Sequence, residues 1–267
     1  MTLIQKLSSC DMIKLMNKKI IIANWKMNPN SLKLAEKLFT DIAKNISDAK
    51  SEIVICPPFL YLSKFKKMSH KIKLGAQNCS YEESGAFTGE ISAEMLYDIG
   101  ARYVILGHSE RRSFGETNED INKKIKTALS SGLIPILCIG EKERNENHEY
   151  FNIVKIQILE CLNGVKKDFI SKIIIAYEPI WSISTTPGRR DANGDDFYEM
   201  NVFIRKILSD KFGVKNKMPK IIYGGSVNPK NADEFLKEKN SDGVLVGNAS
   251  LSSEKFLKII NITEGIS

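Results

Sequence analysis

The sequence predicts a parallel α/β fold, and a single (β/α)8 barrel fits it best. Three observations carry this. Short β-branched apolar runs recur along the chain, and each is followed by a longer amphipathic stretch. The runs are apolar without alternation, as in strands buried on both faces of a parallel sheet. Eight such units, with no break in composition between them, fill 267 residues, the size of one closed barrel with its helical shell. On the pattern alone a doubly wound sheet stays open, although no turn carries G-x-G-x-x-G.

Taken in order, the first run is Ile20–Ala23. The helix after it spans Ser31–Lys44, with Leu34, Ala35, Leu38, Phe39 and Ile42 at helical spacing and Ser31 as N-cap. Ile53–Cys56 precedes a helix near Leu60–Met68, and Ile72–Ala76 precedes one near Ser92–Asp98. Tyr103–Leu106 is followed by Asn118–Leu129, and Ile134–Ile139 by Tyr150–Leu162. Ile173–Tyr177 leads to Phe197–Phe212, Lys220–Tyr223 to Ala232–Lys237, and Val244–Val246 to Ser253–Ile262. Residues 18–267 form this barrel domain. Residues 1–17 read as an N-terminal extension of unknown role: Lys6, Asp11 and Lys14 interrupt its apolar residues, and it lacks the core and cleavage site of a secretion signal.

Composition narrows the function classes. Hydrophobic residues are 42% and charged residues 27%, which excludes disordered and collagen-like chains. No apolar run reaches the roughly 18–20 residues of a membrane span. The net charge of +7 is spread over the chain without a long Lys/Arg block, so neither nucleic acid nor a membrane is expected as partner. Five cysteines at wide spacing, with no C-x-x-C, fit reduced thiols and a cytoplasmic location.

Chemistry in such barrels gathers at the carboxyl ends of the strands, where this sequence places unusual polar residues. Asn24-Trp25-Lys26-Met27-Asn28 follows the first strand and Gly107-His108-Ser109-Glu110-Arg111-Arg112 the fourth. Glu178-Pro179-Ile180-Trp181 follows the sixth, Gly224-Gly225-Ser226 the seventh and Gly247-Asn248 the eighth. A lone Lys26 or His108 reads as well as a surface or structural side chain. Glu178 is harder to dismiss: a carboxylate at a strand end, against Pro179 and Trp181, is desolvated, which makes it a useful base. The glycine strings read either as turns or as helix starts whose N–H groups seat an anion.

The ordered set of strings resembles the triosephosphate isomerase family. Besides those above, it includes Gly75-Ala76-Gln77-Asn78-Cys79-Ser80, Gly85-Ala86-Phe87-Thr88-Gly89-Glu90, Cys138-Ile139-Gly140-Glu141 and Gly243-Val244-Leu245-Val246-Gly247, covering about residues 17–265. The resemblance implies a TIM barrel that interconverts dihydroxyacetone phosphate and D-glyceraldehyde 3-phosphate through an enediolate, in glycolysis and gluconeogenesis, with no metal or cofactor. It implies Glu178 as base, His108 as uncharged electrophile and Lys26 as the cation that stabilises the anion. It also implies Asn24 as the amide partner of Lys26, Glu110 as an acid close to both, and Ser184, Ser226, Gly247 and Asn248 as the phosphate grip. It further implies a homodimer in which the loop Gln77–Glu90 enters a partner subunit, with Thr88 near the partner's Asn24 site.

Some strings depart from the family pattern. Ser182-Ile183-Ser184-Thr185-Thr186 stands where the family's lid carries glycines, and Ser184 occupies a glycine position whose N–H meets phosphate. The stretch Arg189 to Asp196 is a few residues longer, and the segment after Arg112 about one shorter. Asn248 replaces a second glycine, and Asn tolerates φ > 0 better than most residues. A lid over Pro179–Asp195, polar and exposed from Arg189 to Asp195, is expected to close on the phosphate. Two other functions stay open: an isomerase of a longer ketose phosphate, and a barrel that binds a phosphorylated ligand without catalysis.

Overall fold

The computed structural model describes residues 18–183, 188, 190–215, 217–238 and 241–266. Eight parallel strands close into one barrel in chain order: β1 (Ile20–Asn24), β2 (Glu52–Cys56), β3 (Ile72–Ala76), β4 (Ala101–Leu106), β5 (Ile134–Ile139), β6 (Ile174–Tyr177), β7 (Lys220–Tyr223) and β8 (Gly243–Val246). β1 pairs with both β2 and β8, so no edge remains. Closure removes the exposed N–H and C=O groups that an open sheet would present. The described helices are α1 (Leu32–Lys44), α2 (Phe59–Phe65), α3 (Ala93–Asp98), α4 (Ser109–Ser113), α5 (Asn118–Ser130), α6 (Glu149–Cys161), α7 (Lys167–Ile170), α8 (Gly194–Phe212), α9 (Ala232–Lys237) and α10 (Ser253–Ile266). Residues 1–17, the expected extension, lie outside the described residues.

The strands sort their residues by period two. Ile20, Ile22, Val54, Cys56, Tyr103, Ile105, Ile136, Cys138, Ile174, Ala176, Ile222 and Leu245 form one cluster, the barrel interior. The alternate residues, among them Ile21, Ile53, Val104, Leu137, Ile175, Ile221 and Val244, pack with the helices in a second, larger cluster. Both faces are therefore apolar, which is why the strand sequences do not alternate. Ser31 caps α1 by accepting from the Leu34 N–H, as the sequence predicts. The four described cysteines, Cys56, Cys79, Cys138 and Cys161, are free and buried.

The last helix runs to Ile266, four residues past expectation, and three other boundaries differ for a visible reason. β4 begins at Ala101, two residues early, because the Arg102 guanidinium leaves the strand to meet the Tyr97 and Ala101 carbonyls. α2 ends at Phe65 rather than Met68, which packs on the core from the following turn. α8 starts at Gly194, not Phe197: the Asn193 side chain accepts from the Asp196 N–H, and Asp196 accepts from the Asn193 N–H. That reciprocal cap turns residues expected as loop into the first helical turn.

The last helix is fastened to the barrel by a carboxylate. The two oxygens of Glu264 accept from the Lys50 and Ser51 N–H groups at 2.8 and 2.9 Å, at the entrance to β2. Burial opposes the charged form, but the bonds from Ser51 and Lys50 prevail and hold the carboxyl below its ordinary value of 4.5. A carboxyl lowered on folding contributes stability above its unfolded pKa and loses it as pH falls through the folded value. Glu264→Gln can accept only one of the two bonds. It is expected to cost about 1 kcal/mol at pH 7 after allowance for solvent, with the difference vanishing near pH 3. Urea unfolding of both proteins at the two pH values checks this.

Candidate active site

The inward parity of the strands continues past their carboxyl ends. Inward Ile20 and Ile22 are followed by Asn24, inward Ile174 and Ala176 by Glu178, Ile136 and Cys138 by Gly140, and Ile222 by Gly224. One more layer thus caps the apolar interior, and it is polar. Its two glycines make room for Glu178, Gly140 for the backbone and Gly224 for the side chain. A Cβ at Gly140 would stand 1.9 Å from the Glu178 carbonyl oxygen, and one at Gly224 would stand 2.9 Å from the Glu178 Cγ. The backbone of Glu178 is pinned on both sides of the strand end, donating to the Ile139 carbonyl at 2.7 Å while Tyr177 accepts from the Gly224 N–H at 2.7 Å.

Glu178 is 2% exposed. One carboxylate oxygen, Oε2, accepts from the Ser109 N–H at 3.2 Å. The other, Oε1, has no hydrogen-bond partner among the described residues and lies 3.5 Å from the His108 Nε2. A buried acceptor left open is costly to fold around, and this one faces a ring nitrogen. His108 is the N-cap of α4, and its Nδ1 accepts from the Glu110 N–H at 3.2 Å. With the Nδ1 lone pair engaged, the ring proton of the neutral imidazole sits on Nε2, the nitrogen that faces the cleft. Below, burial pushes the Cys138 thiol well up, and the Glu178 charge adds to it, so Cys138 stays a thiol.

Lys26 completes the group. Its φ of +52° is left-handed, a conformation that costs a non-glycine residue about 1 kcal/mol or more. The surroundings hold it there: its N–H donates to Asn24 Oδ1 at 3.0 Å, and its carbonyl accepts from Gln77 Nε2 at 2.8 Å. The ammonium pairs with Glu110 Oε1 at 2.5 Å. Asn24, Lys26, His108, Glu110 and Glu178 all line one cleft of about 920 Å3 with Ser226, Gly247 and Asn248.

Eight of the nine residues singled out from the sequence therefore meet in one place. The ninth, Ser184, lies outside the described residues, as do Thr185, Thr186, Pro187 and Arg189 of the expected lid. Gly247 leads directly into the short 3₁₀ helix Asn248–Leu251, whereas after Gly224-Gly225-Ser226 the next helix, α9, starts only at Ala232. Asn248 is not among the described residues with positive φ. One expectation needs correction. The lid does not extend in exposed form to Asp195, since Ala192 and Gly194 are buried and Gly194 and Asp195 belong to α8.

A sequence profile of the family described as triosephosphate isomerase matches residues 19–263. This chain belongs to the triosephosphate isomerase family. The triosephosphate isomerase of Alkaliphilus oremlandii is 46% identical over 92% of this chain and 100% of its own length. Those of Dictyoglomus thermophilum and Aquifex aeolicus are each 47% identical, over 92% and 91% of this chain and 99% and 98% of their own lengths. Among solved structures, the crystal structure of triosephosphate isomerase from Bartonella henselae superposes with a TM-score of 0.80 at 34% identity, covering 92% of this chain and 99% of that one. Membership makes the chain an enzyme, an isomerase.

Behind the cleft lies a network that sequence reasoning did not assemble. Glu141, fully buried, accepts on one oxygen from the Tyr177 hydroxyl at 2.7 Å, from Trp181 Nε1 at 2.8 Å and from Arg144 Nε at 3.2 Å. Burial, with the Glu141 charge beside it, holds the Tyr177 hydroxyl in its protonated form. Arg144 reaches on to Asp196 at 2.9 Å and Glu199 at 3.1 Å. These partners are far apart in sequence, and only the G-E pair at Gly140-Glu141, part of the family string, hinted at them.

Proposed function

We propose that this member of the triosephosphate isomerase family interconverts dihydroxyacetone phosphate and D-glyceraldehyde 3-phosphate, with Glu178 as base, His108 as electrophile and Lys26 as electrostatic stabiliser. The observation that carries the reading is the open, buried Glu178 Oε1 facing His108 Nε2 at 3.5 Å in the cleft that Lys26 also lines. In this reading the carboxylate takes a proton from the carbon beside the substrate carbonyl. The C–H pair becomes the new C=C bond, and the carbonyl π pair moves to oxygen. His108 Nε2–H and the Lys26 ammonium stabilise that oxygen. Transfer of the hydroxyl proton of the deprotonated carbon to that oxygen, and return of the carbon-derived proton from Glu178 to the former carbonyl carbon, give the aldehyde. A preformed donor and cation at a developing oxyanion, away from bulk water, is the largest source of rate in such sites. Ser226 and the N–H groups near Gly247 and Asn248 supply the phosphate end, and no redox step or cofactor enters the balance.

Coupled assays started from each triose phosphate test this. Turnover in both directions, with an equilibrium independent of enzyme concentration, is the expected result. Absence of turnover in both directions, or turnover only with a four-carbon ketose phosphate, overturns the substrate assignment.

A further inference from the structure

We propose that Arg190, in the stretch expected to be longer than its family's, is a positioning residue for Glu178 that acts through the Trp181 indole. The inference rests on the assignment of Glu178 as base. The Arg190 guanidinium carbon lies 4.2 Å from the Trp181 ring centroid, and the Arg190 N–H donates to the Trp181 carbonyl at 3.3 Å. A second guanidinium, that of Arg144, stands 5.4 Å from the same ring. The indole N–H is bound at 2.8 Å to Glu141, whose carbonyl also accepts from the Ile180 N–H at 2.9 Å. Trp181 is thus held by its edge through Glu141 and over its ring by cations.

The turn so held, Ile180–Ser182, is joined to Glu178 by Pro179 alone. Proline fixes φ near −65°, and here φ is −62°, so a shift of the turn is passed to the Glu178 backbone with little slack. The edge contacts of Trp181 come from buried groups of the barrel and serve folding as well. Arg190 differs, being exposed and reaching the indole from outside. Among the described residues no carboxylate forms an ion pair with the Arg190 guanidinium. The ring is its partner. A base must meet its proton within a fraction of an ångström, so loosening the indole lowers the chemical step more than it lowers affinity, the phosphate being held on β7 and β8.

The experiment compares Arg190→Ala, Arg190→Gln and Arg190→Lys with the unmodified protein and with Glu178→Gln. For Arg190→Ala, kcat is expected to fall about 3–10-fold with KM changed less than about 2-fold and Tm within about 2 °C. Arg190→Lys, which keeps the cation, recovers part of the loss, and Arg190→Gln does not. Fluorescence gives a readout independent of turnover. The chain has two tryptophans, and Trp25 is fully buried, so increased acrylamide quenching in Arg190→Ala reports Trp181. An unchanged kcat and unchanged quenching overturn the proposal, as does equal recovery by Gln and Lys, or a kcat loss matched by a fall in Tm. Full turnover in Glu178→Gln instead overturns the base assignment, whatever Arg190 does.

Discussion

Glu178→Gln is expected to lose at least about 10²-fold in kcat, and as much as about 10⁴-fold, while the phosphate end of the ligand is still bound. The amide is isosteric with the carboxylate and fits the same space beside Gly224. Its oxygen can still accept from the Ser109 N–H, which the carboxylate does at 3.2 Å, so the side chain keeps its place. What it loses is the ability to take a proton. Lys26, Ser226 and Gly247 are untouched, and they follow β1, β7 and β8 rather than β6. The dissociation constant of a phosphorylated enediolate mimic, measured by calorimetry, should therefore change far less than kcat, and Tm should stay within a few degrees. Near-normal kcat would remove Glu178 as the base. A loss of binding as large as the loss of turnover would show that the side chain builds the cleft rather than acts in it.

The strands and the site were legible for the same physical reason. A barrel strand is apolar on both faces until it reaches its carboxyl end, so the first polar side chain at inward parity stands out. Asn24 after Ile20 and Ile22, and Glu178 after Ile174 and Ala176, are read this way from sequence, and both lie in the cleft. Residues that work through partners distant in the chain were not legible. Nothing near Glu141 says that one of its oxygens will gather Tyr177, Trp181 and Arg144. Nothing in Arg189-Arg190 says that the second arginine returns over Trp181. The start of α8 was legible in principle, since Asn193 three residues before Asp196 is a capping pattern. Polar residues before a helix also look like loop, which hides this start.

Removing Ser84–Phe87 is expected to turn a dimer into a monomer with at least about 10²-fold lower kcat/KM. Nine large apolar side chains of the described residues lie exposed on the segments after the first four strands, and five of them bear on this. Met27 follows β1 and is 92% exposed, Leu60 on α2 is 83% exposed, Phe87 follows β3 at 45%, Met95 lies on α3, and Phe114 follows α4 at 81%. An apolar surface of this kind on one side of a molecule marks a contact site, and a self-complementary contact gives a twofold dimer. The loop is built to project. Its base is closed by the Ser80 N–H donating to the Ile91 carbonyl at 2.8 Å, and Gly85 and Gly89 take positive φ near its tip. Deleting the tip leaves that closure, so the barrel itself should fold. The loop also bears on Lys26 within its own chain, because Gln77 Nε2 holds the Lys26 carbonyl. In the dimer a partner's loop would cover Asn24 and Lys26 from the other side. Without it the left-handed backbone of Lys26 is free to relax, and a shift of about 1 Å in such a group costs about 10²-fold. Phe87→Asp is the milder companion variant, placing a charge where the partner would bury a ring. Sedimentation velocity should give twice the 30.1 kDa chain for the unmodified protein, the chain mass for the deletion, and a concentration-dependent mixture for Phe87→Asp. If the deletion stays dimeric and active, the loop is not the interface. If it becomes monomeric with full activity, the interface is there but the partner adds nothing to the site.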